Sequence, residues 1–122
     1  MHLVEFLITP VGKPRMTQRD RWYKRTTTSS YWAFKDQLVL LTKQKQFVLG
    51  DRYGVIFYLP MPDSWSKKKK FEMMGRPHQS KPDLDNLCKA IQDCLKVNDA
   101  VIWDLEARKI WWDEGKISFY DR

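Results

Sequence analysis

Residues 81–95 read KPDLDNLCKAIQDCL, which places Asp83, Asp85, Lys89 and Asp93 in one short run, with Asp99 close behind. The apolar residues Leu84, Leu87, Cys88, Ile91 and Leu95 recur at offsets of three and four, which predicts a helix over roughly 83–96. Asp85, Lys89 and Asp93 then fall at i, i+4 and i+8 on the polar stripe. Asp83 lies at or just before the first turn, and Asp99 lies in the turn before the next strand. Carboxylates gathered in this way repel one another unless a cation neutralises them. Magnesium suits the role, because it takes hard oxygen ligands, keeps several waters and is often held by one or two protein carboxylates. Beside a phosphodiester such an ion can activate water and stabilise charge developing on the phosphate.

Each acid also has a plainer explanation. Asp83 after Pro82 can be an N-cap, favourable by about 1 kcal/mol. Asp85 can pair with Lys89 along the helix, worth about 0.3–0.5 kcal/mol. Asp93 can be solvated or paired with Lys89 or Lys96. Asn98–Asp99 is good turn chemistry.

The acids stand out because the chain around them is basic. Its 122 residues carry 22 Lys and Arg against 15 Asp and Glu, a net charge of +7. Such an excess in a small protein points to a polyanionic partner, with nucleic acid ahead of a membrane surface. The segment GKPRMTQRDRWYKR, residues 12–25, holds Lys13, Arg15, Arg19, Arg21, Lys24 and Arg25 around Trp22 and Tyr23. Cations beside aromatics in a loop suit phosphate contacts and base stacking. A second basic segment, SWSKKKK at 64–70, brings Lys67, Lys68, Lys69 and Lys70 just ahead of the acids. Alone it reads equally as a solvated, mobile loop. Trp22 and Trp65 are candidate DNA contacts.

The elements that must position these groups are short. Residues 2–9 read as a strand, 10–29 as a loop, and 31–47 as a helix capped by Ser30 with Tyr31, Phe34, Leu38 and Leu41 near one face. Residues 52–60 alternate as a strand, and 61–82, with Pro62, Gly75, Pro77 and Pro82, read as a long loop. After the acidic helix, Val101, Trp103, Leu105 and Ala107 alternate with Ile102, Asp104, Glu106 and Arg108, which predicts a strand with one polar side and Trp103 in the core. Trp32 is expected to be partly buried, Trp111 and Trp112 are candidates for a dimer interface, and 116–121 close the fold as a strand. The order β-α-β-α-β-β predicts an α+β fold, a single domain over 1–122 with a mixed or mainly antiparallel sheet and two helices packed on it.

Several function classes recede. No run of 18 apolar residues predicts a membrane span, and MHLVEFLITP reads as a first strand, not a signal peptide. Cys88 and Cys94, six apart in one predicted helix, are badly placed for a disulfide. With no CxxC pair, a zinc site is not indicated. No phosphate-binding GxxxxGK[ST] loop is present, so no nucleotide cofactor is expected. His2 and His78 are isolated. The chain reads as cytoplasmic and reduced, with Cys88 a small core residue.

Asp83-Leu84-Asp85-Asn86-Leu87, then Lys89-Ala90, Asp93-Cys94-Leu95 and Asp99-Ala100-Val101-Ile102, resemble the RusA family of Holliday junction resolvases. The opening TPVGKPRMTQRDRW is similar to the family's basic loop after its first strand, and MPDSWSKKKK is similar to segments of phage-borne members. The resemblance implies a homodimeric endodeoxyribonuclease of DNA recombination and repair, dependent on magnesium, or alternatively manganese, and acting on four-way junctions. It implies that Asp83, Asp85 and Asp99 hold the metal, that Lys89 is an active-site lysine, and that Lys109 matches a basic position of the motif. Asn98 stands where many members carry an acid, and the turn from Asp93 to Asp99 is shorter than usual. Asp93 and Asp104 are therefore alternative third ligands. Asp104 is disfavoured by lying five residues into the strand, Asp93 by sitting about 12 Å from Asp85 along the helix. Two other functions stay open: a nucleic-acid-binding module without catalysis, and a general or RNA-directed nuclease.

Overall fold

The structure, a computed structural model, describes residues 3–14 and 26–122. Strand β1 is Leu3–Phe6, helix α1 Thr26–Gln44, strand β2 Arg52–Pro60, helix α2 Lys67–Met73 and helix α3 Leu84–Cys94. A 3-10 turn at Asp99–Val101 leads into strand β3, Asp104–Trp112, and strand β4 is Lys116–Tyr120. The sheet order is β1-β4-β2-β3. The β1–β4 and β2–β4 pairs are antiparallel, and β2–β3 is parallel. The expected α+β class and mixed sheet are what the chain forms.

One face of the sheet carries the core. Val55, Phe57, Ile117 and Phe119 meet Tyr31, Phe34 and Leu38 of α1 and Leu87, Cys88 and Ile91 of α3, all buried. Both cysteines are free and buried. Burial pushes the Cys88 thiol up to about 11, the Asp85 charge adding to it. At Gly54 the Tyr120 ring crosses the strand so closely that a Cβ there would lie 2.2 Å from it, so any larger residue would displace that ring.

Three sequence expectations change. Helix α1 begins at Thr26, not after Ser30, because threonine and serine cost only tenths of a kcal/mol in a helix and Tyr31, Phe34 and Leu38 anchor the next turns to the core. It ends at Gln44, with Gln46 at φ 53°. The segment 61–82, expected to be a loop, contains α2, started by Ser66, whose hydroxyl accepts the Lys69 N–H at 3.1 Å. The third strand begins at Asp104, since residues 99–101 are spent in the 3-10 turn. Trp103 is consequently not in the core: it is 66% exposed, lies under the Arg52 guanidinium at 5.0 Å and donates its indole N–H to Asp51 at 3.2 Å. Trp32, expected to be partly buried, is among the exposed aromatics at 38%.

Candidate active site

Helix α3 presents the acids. Asp83 occupies the N-cap position, with extended backbone (φ −68°, ψ 144°), and its carbonyl accepts the Leu87 N–H at 3.1 Å. Its side chain makes no capping hydrogen bond. The carboxylate instead meets the Lys81 ammonium through both oxygens, at 2.9 and 3.0 Å. Capping therefore does not account for this side chain. Asp85 lies in the first turn, and Lys89 approaches it at 3.8 Å, too long for a hydrogen bond. Both are exposed, so their attraction is worth a few tenths of a kcal/mol.

Asp99 opens the 3-10 turn, but Asn98 does the capping: its side-chain oxygen accepts the Ala100 N–H at 3.0 Å. The Asp99 carboxylate is left without a hydrogen bond or ion pair among the described residues. Two adjoining depressions both include Lys89 and Asp99. One adds Asp85, with Leu105 and Ala107 of β3 in its wall, and the other adds Lys13, Asp93 and Asn98. Beneath them Gln92 donates to the buried Tyr53 hydroxyl at 2.7 Å. Burial pushes that phenol up to about 12, with the Cys88 and Asp99 charges adding to it.

Asp93 has a different task. The Tyr31 hydroxyl donates to it, and Lys13 stands at 3.4 Å. The Tyr31 bond and the Lys13 charge hold its carboxyl below the usual value. The Lys13 N–H also donates to Asn86 O at 3.1 Å, and a Cβ on Gly12 would come within 3.1 Å of Pro82 Cβ. The loop after β1 is thus packed at Gly12 and Lys13 against the start of α3, bringing Lys13 to the cleft. Asp104 is neutralised by Arg52 and Arg122, each at 3.1 Å. Neither alternative third acid is unengaged.

Asp85, Lys89 and Asp99 are therefore brought together, with Lys13 at the rim. Asp83 sits at the head of the helix under Lys81. Among the described residues no group of three or more His, Cys, Asp or Glu side chains could hold a metal ion. The donor set fits a hard cation held by one or two carboxylates and water, as magnesium often is, and not a closed protein cage.

Lys109, at the basic position of the motif and offered as a nucleic-acid contact, is half-buried and engaged with the backbone. Its ammonium donates to Ser80 O at 2.6 Å and Pro82 O at 2.7 Å, so it clamps the turn that delivers Asp83. The neighbouring His78 is 5% exposed, its ring centroid 4.1 Å from that of Trp111, and its backbone N–H donates to Lys109 O at 3.1 Å. Burial and the Lys109 charge lower its pKa from 6.5. Arg15, Arg19, Arg21, Trp22, Lys24 and Arg25 lie outside the described residues. Lys67, Lys68 and Lys69 are exposed on α2, and Lys70 is half-buried. Trp65 and Trp111 pack against each other, while Trp112 meets Tyr58 and Lys116.

Sequence reasoning missed the Tyr31–Asp93 bond, which joins residues 62 apart, and the Lys109 clamp, which joins residues 27 and 29 apart. No local pattern announces either.

A two-layer α+β protein with acids and a lysine at a helix start, and a second lysine, Lys13, at the rim, has the makings of a phosphodiester-cleaving protein. The chain belongs to the endodeoxyribonuclease RusA family, whose model matches residues 8–118. No curated protein matches it. Membership makes it an endodeoxyribonuclease by family, and the matched span includes Lys13, Asp83, Asp85, Lys89, Asp99 and Lys109. No described helix is long and apolar enough to cross a membrane.

Proposed function

We propose that this chain is a magnesium-dependent endonuclease that resolves four-way DNA junctions in recombination and repair, working in the cytoplasm as a homodimer. The observation that carries the reading is the cleft shared by Asp85, Lys89 and Asp99, with the Lys13 loop packed beside it. Asp85 and Asp99 would hold the ion, with Asp83 joining them on release from Lys81. Manganese has the same preference for oxygen donors. The ion, when bound, supplies charge neutralisation at the phosphate and activation of water.

The chain's own residues do the rest. Lys89 is one helical turn from Asp85 and exposed, so its ammonium can meet the phosphate oxygens as negative charge builds there. The Lys109 clamp and the Lys13–Asn86 bond fix both sides of the helix start, so the acids are oriented before substrate arrives. The cationic surface, Lys67 to Lys70 included, draws in the backbone. A two-fold dimer would match the two-fold symmetry of a four-way junction and place two sites for paired cuts.

The test is a substrate panel: a synthetic four-way junction, a linear duplex of the same sequence and an RNA duplex, each with Mg²⁺ and with EDTA. Symmetric nicks on the junction alone, lost with EDTA, are expected. Equal cutting of linear duplex or RNA would replace the reading with a general nuclease. Binding without cleavage under any divalent ion would leave a binding module.

A further inference from the structure

Residues 61–76 leave the sheet and return to it at one place. Met61 N–H donates to Trp112 O at 3.0 Å on the way out, and Gly75 N–H to Trp111 O at 2.8 Å on the way back. Trp111 N–H donates to Arg76 O at 2.9 Å. Trp65 packs on Trp111 with ring centroids 4.8 Å apart, and the Lys69 ammonium lies 4.3 Å from the Trp65 ring. The excursion is pinned at its base, yet α2 has no buried residue. It carries Lys67 to Lys70 and then Phe71, which is 86% exposed.

A single exposed apolar residue is ordinary. A helix anchored at both feet that has no fully buried residue, and shows a phenylalanine among lysines, adds little to the core. Phe71 shares its side of the helix with Lys67 and Lys68, four and three residues earlier. An accessible aromatic ring between cations matches a nucleic-acid strand, with a base for the ring and phosphates for the ammonium groups. Bases inside an intact duplex are shielded by their stack, so the matching site is one where a base is unpaired or easily unstacked.

The placement agrees. Ala107, Lys109 and Trp111 share one face of β3, level with Val55, Phe57 and Leu59 of β2. Ala107 lines the acidic cleft and Trp111 anchors α2. Four residues of strand span about 13 Å, about four stacked nucleotides at roughly 3.4 Å each. The foot of α2 therefore stands within a few nucleotides of the acids.

We propose that α2 is a strand-reading finger, in which Phe71 stacks on an unpaired base at a DNA branch point while Lys67 and Lys68 hold the flanking phosphates. The proposal rests on the nuclease reading and adds to it a source of branch selectivity. It is tested by equilibrium binding in EDTA, for wild type, Phe71→Ala and Phe71→Trp, on a four-way junction, a linear duplex and a single-stranded oligonucleotide. Loss of one base–aromatic stack should weaken junction and single-strand binding about 5- to 150-fold, leave duplex binding within about twofold, and be restored by Phe71→Trp. Unchanged single-strand and junction affinity in Phe71→Ala overturns the finger, as does an equal loss on duplex. A change in assembly state of Phe71→Ala by light scattering also overturns it, since Phe71 would then be a contact between copies. If wild type neither prefers nor cuts the junction, the nuclease reading fails. The single-strand comparison still decides the role of Phe71.

Discussion

Replacing Lys109 with methionine separates two roles that a lysine beside a nuclease cleft can have. Its ammonium donates to the carbonyls of Ser80 and Pro82 at 2.6 and 2.7 Å, while methionine keeps most of the stem and loses both bonds. A hydrogen bond from a charged donor contributes about 1.5–3 kcal/mol when sheltered. The Ser80 bond is exposed and the Pro82 bond part-buried, so water replaces much of the first. The expected loss is about 1–3 kcal/mol in total, or roughly 3–6 °C in Tm per kcal/mol for a domain of this size. The freed turn leads directly into Asp83. A displacement near 1 Å there should slow cleavage by about 10²-fold. Urea unfolding, junction cleavage and the salt dependence of junction binding are measured together. The clamp predicts lower stability, slower cleavage and an unchanged slope of log K against log salt. Unchanged stability, with the slope reduced by about 0.9, would mean that Lys109 neutralises one phosphate and would refute the clamp.

Tyr31→Phe removes the donor to Asp93 and should cost about 1 kcal/mol in urea unfolding, because Asp93 is partly open to water. Asp93 has a folded pKa below 3.8, so its contribution is fully present above 3.8 and is lost as pH falls through the lower folded value. Stability curves against pH should show a smaller acid-side loss in Tyr31→Phe than in wild type. His78 also has a lowered folded pKa, so the unfolded chain takes up its proton first and stability falls as pH drops below 6.5. His78→Phe should flatten that slope on the acid side of 6.5, and an unchanged slope would assign it to other groups.

How much of the fold and site was legible depends on where the information lies. Helix α3 could be read because Leu84, Leu87, Cys88 and Ile91 are local and periodic, and the Asp85–Lys89 spacing comes from the same period. Helix α2 could not, because a short helix with no buried face leaves no apolar stripe, only the Ser66 cap. The alternation from Val101 puts Trp103 in the core, but it does not show that residues 99–101 form a 3-10 turn and that β3, an edge strand, begins only at Asp104. In the sequence Asp83 had a capping explanation and Asp99 a turn explanation. The structure gives capping to Asn98 at one site and leaves the Asp83 side chain to Lys81 at the other. The roles of Tyr31, Lys13 and Lys109 arise from contacts between distant segments, which only the fold supplies.

The central claim is that Asp85 and Asp99 serve chemistry and not folding. The direct measurement is the rate of junction cleavage by Asp85→Asn and by Asp99→Asn, set beside junction affinity and Tm for the same proteins. Both side chains are exposed, and neither has a hydrogen bond to a described residue. Each variant should keep wild-type Tm and affinity while losing cleavage by at least about 10²-fold. Cleavage retained in both variants, or lost only together with stability, would contradict the account.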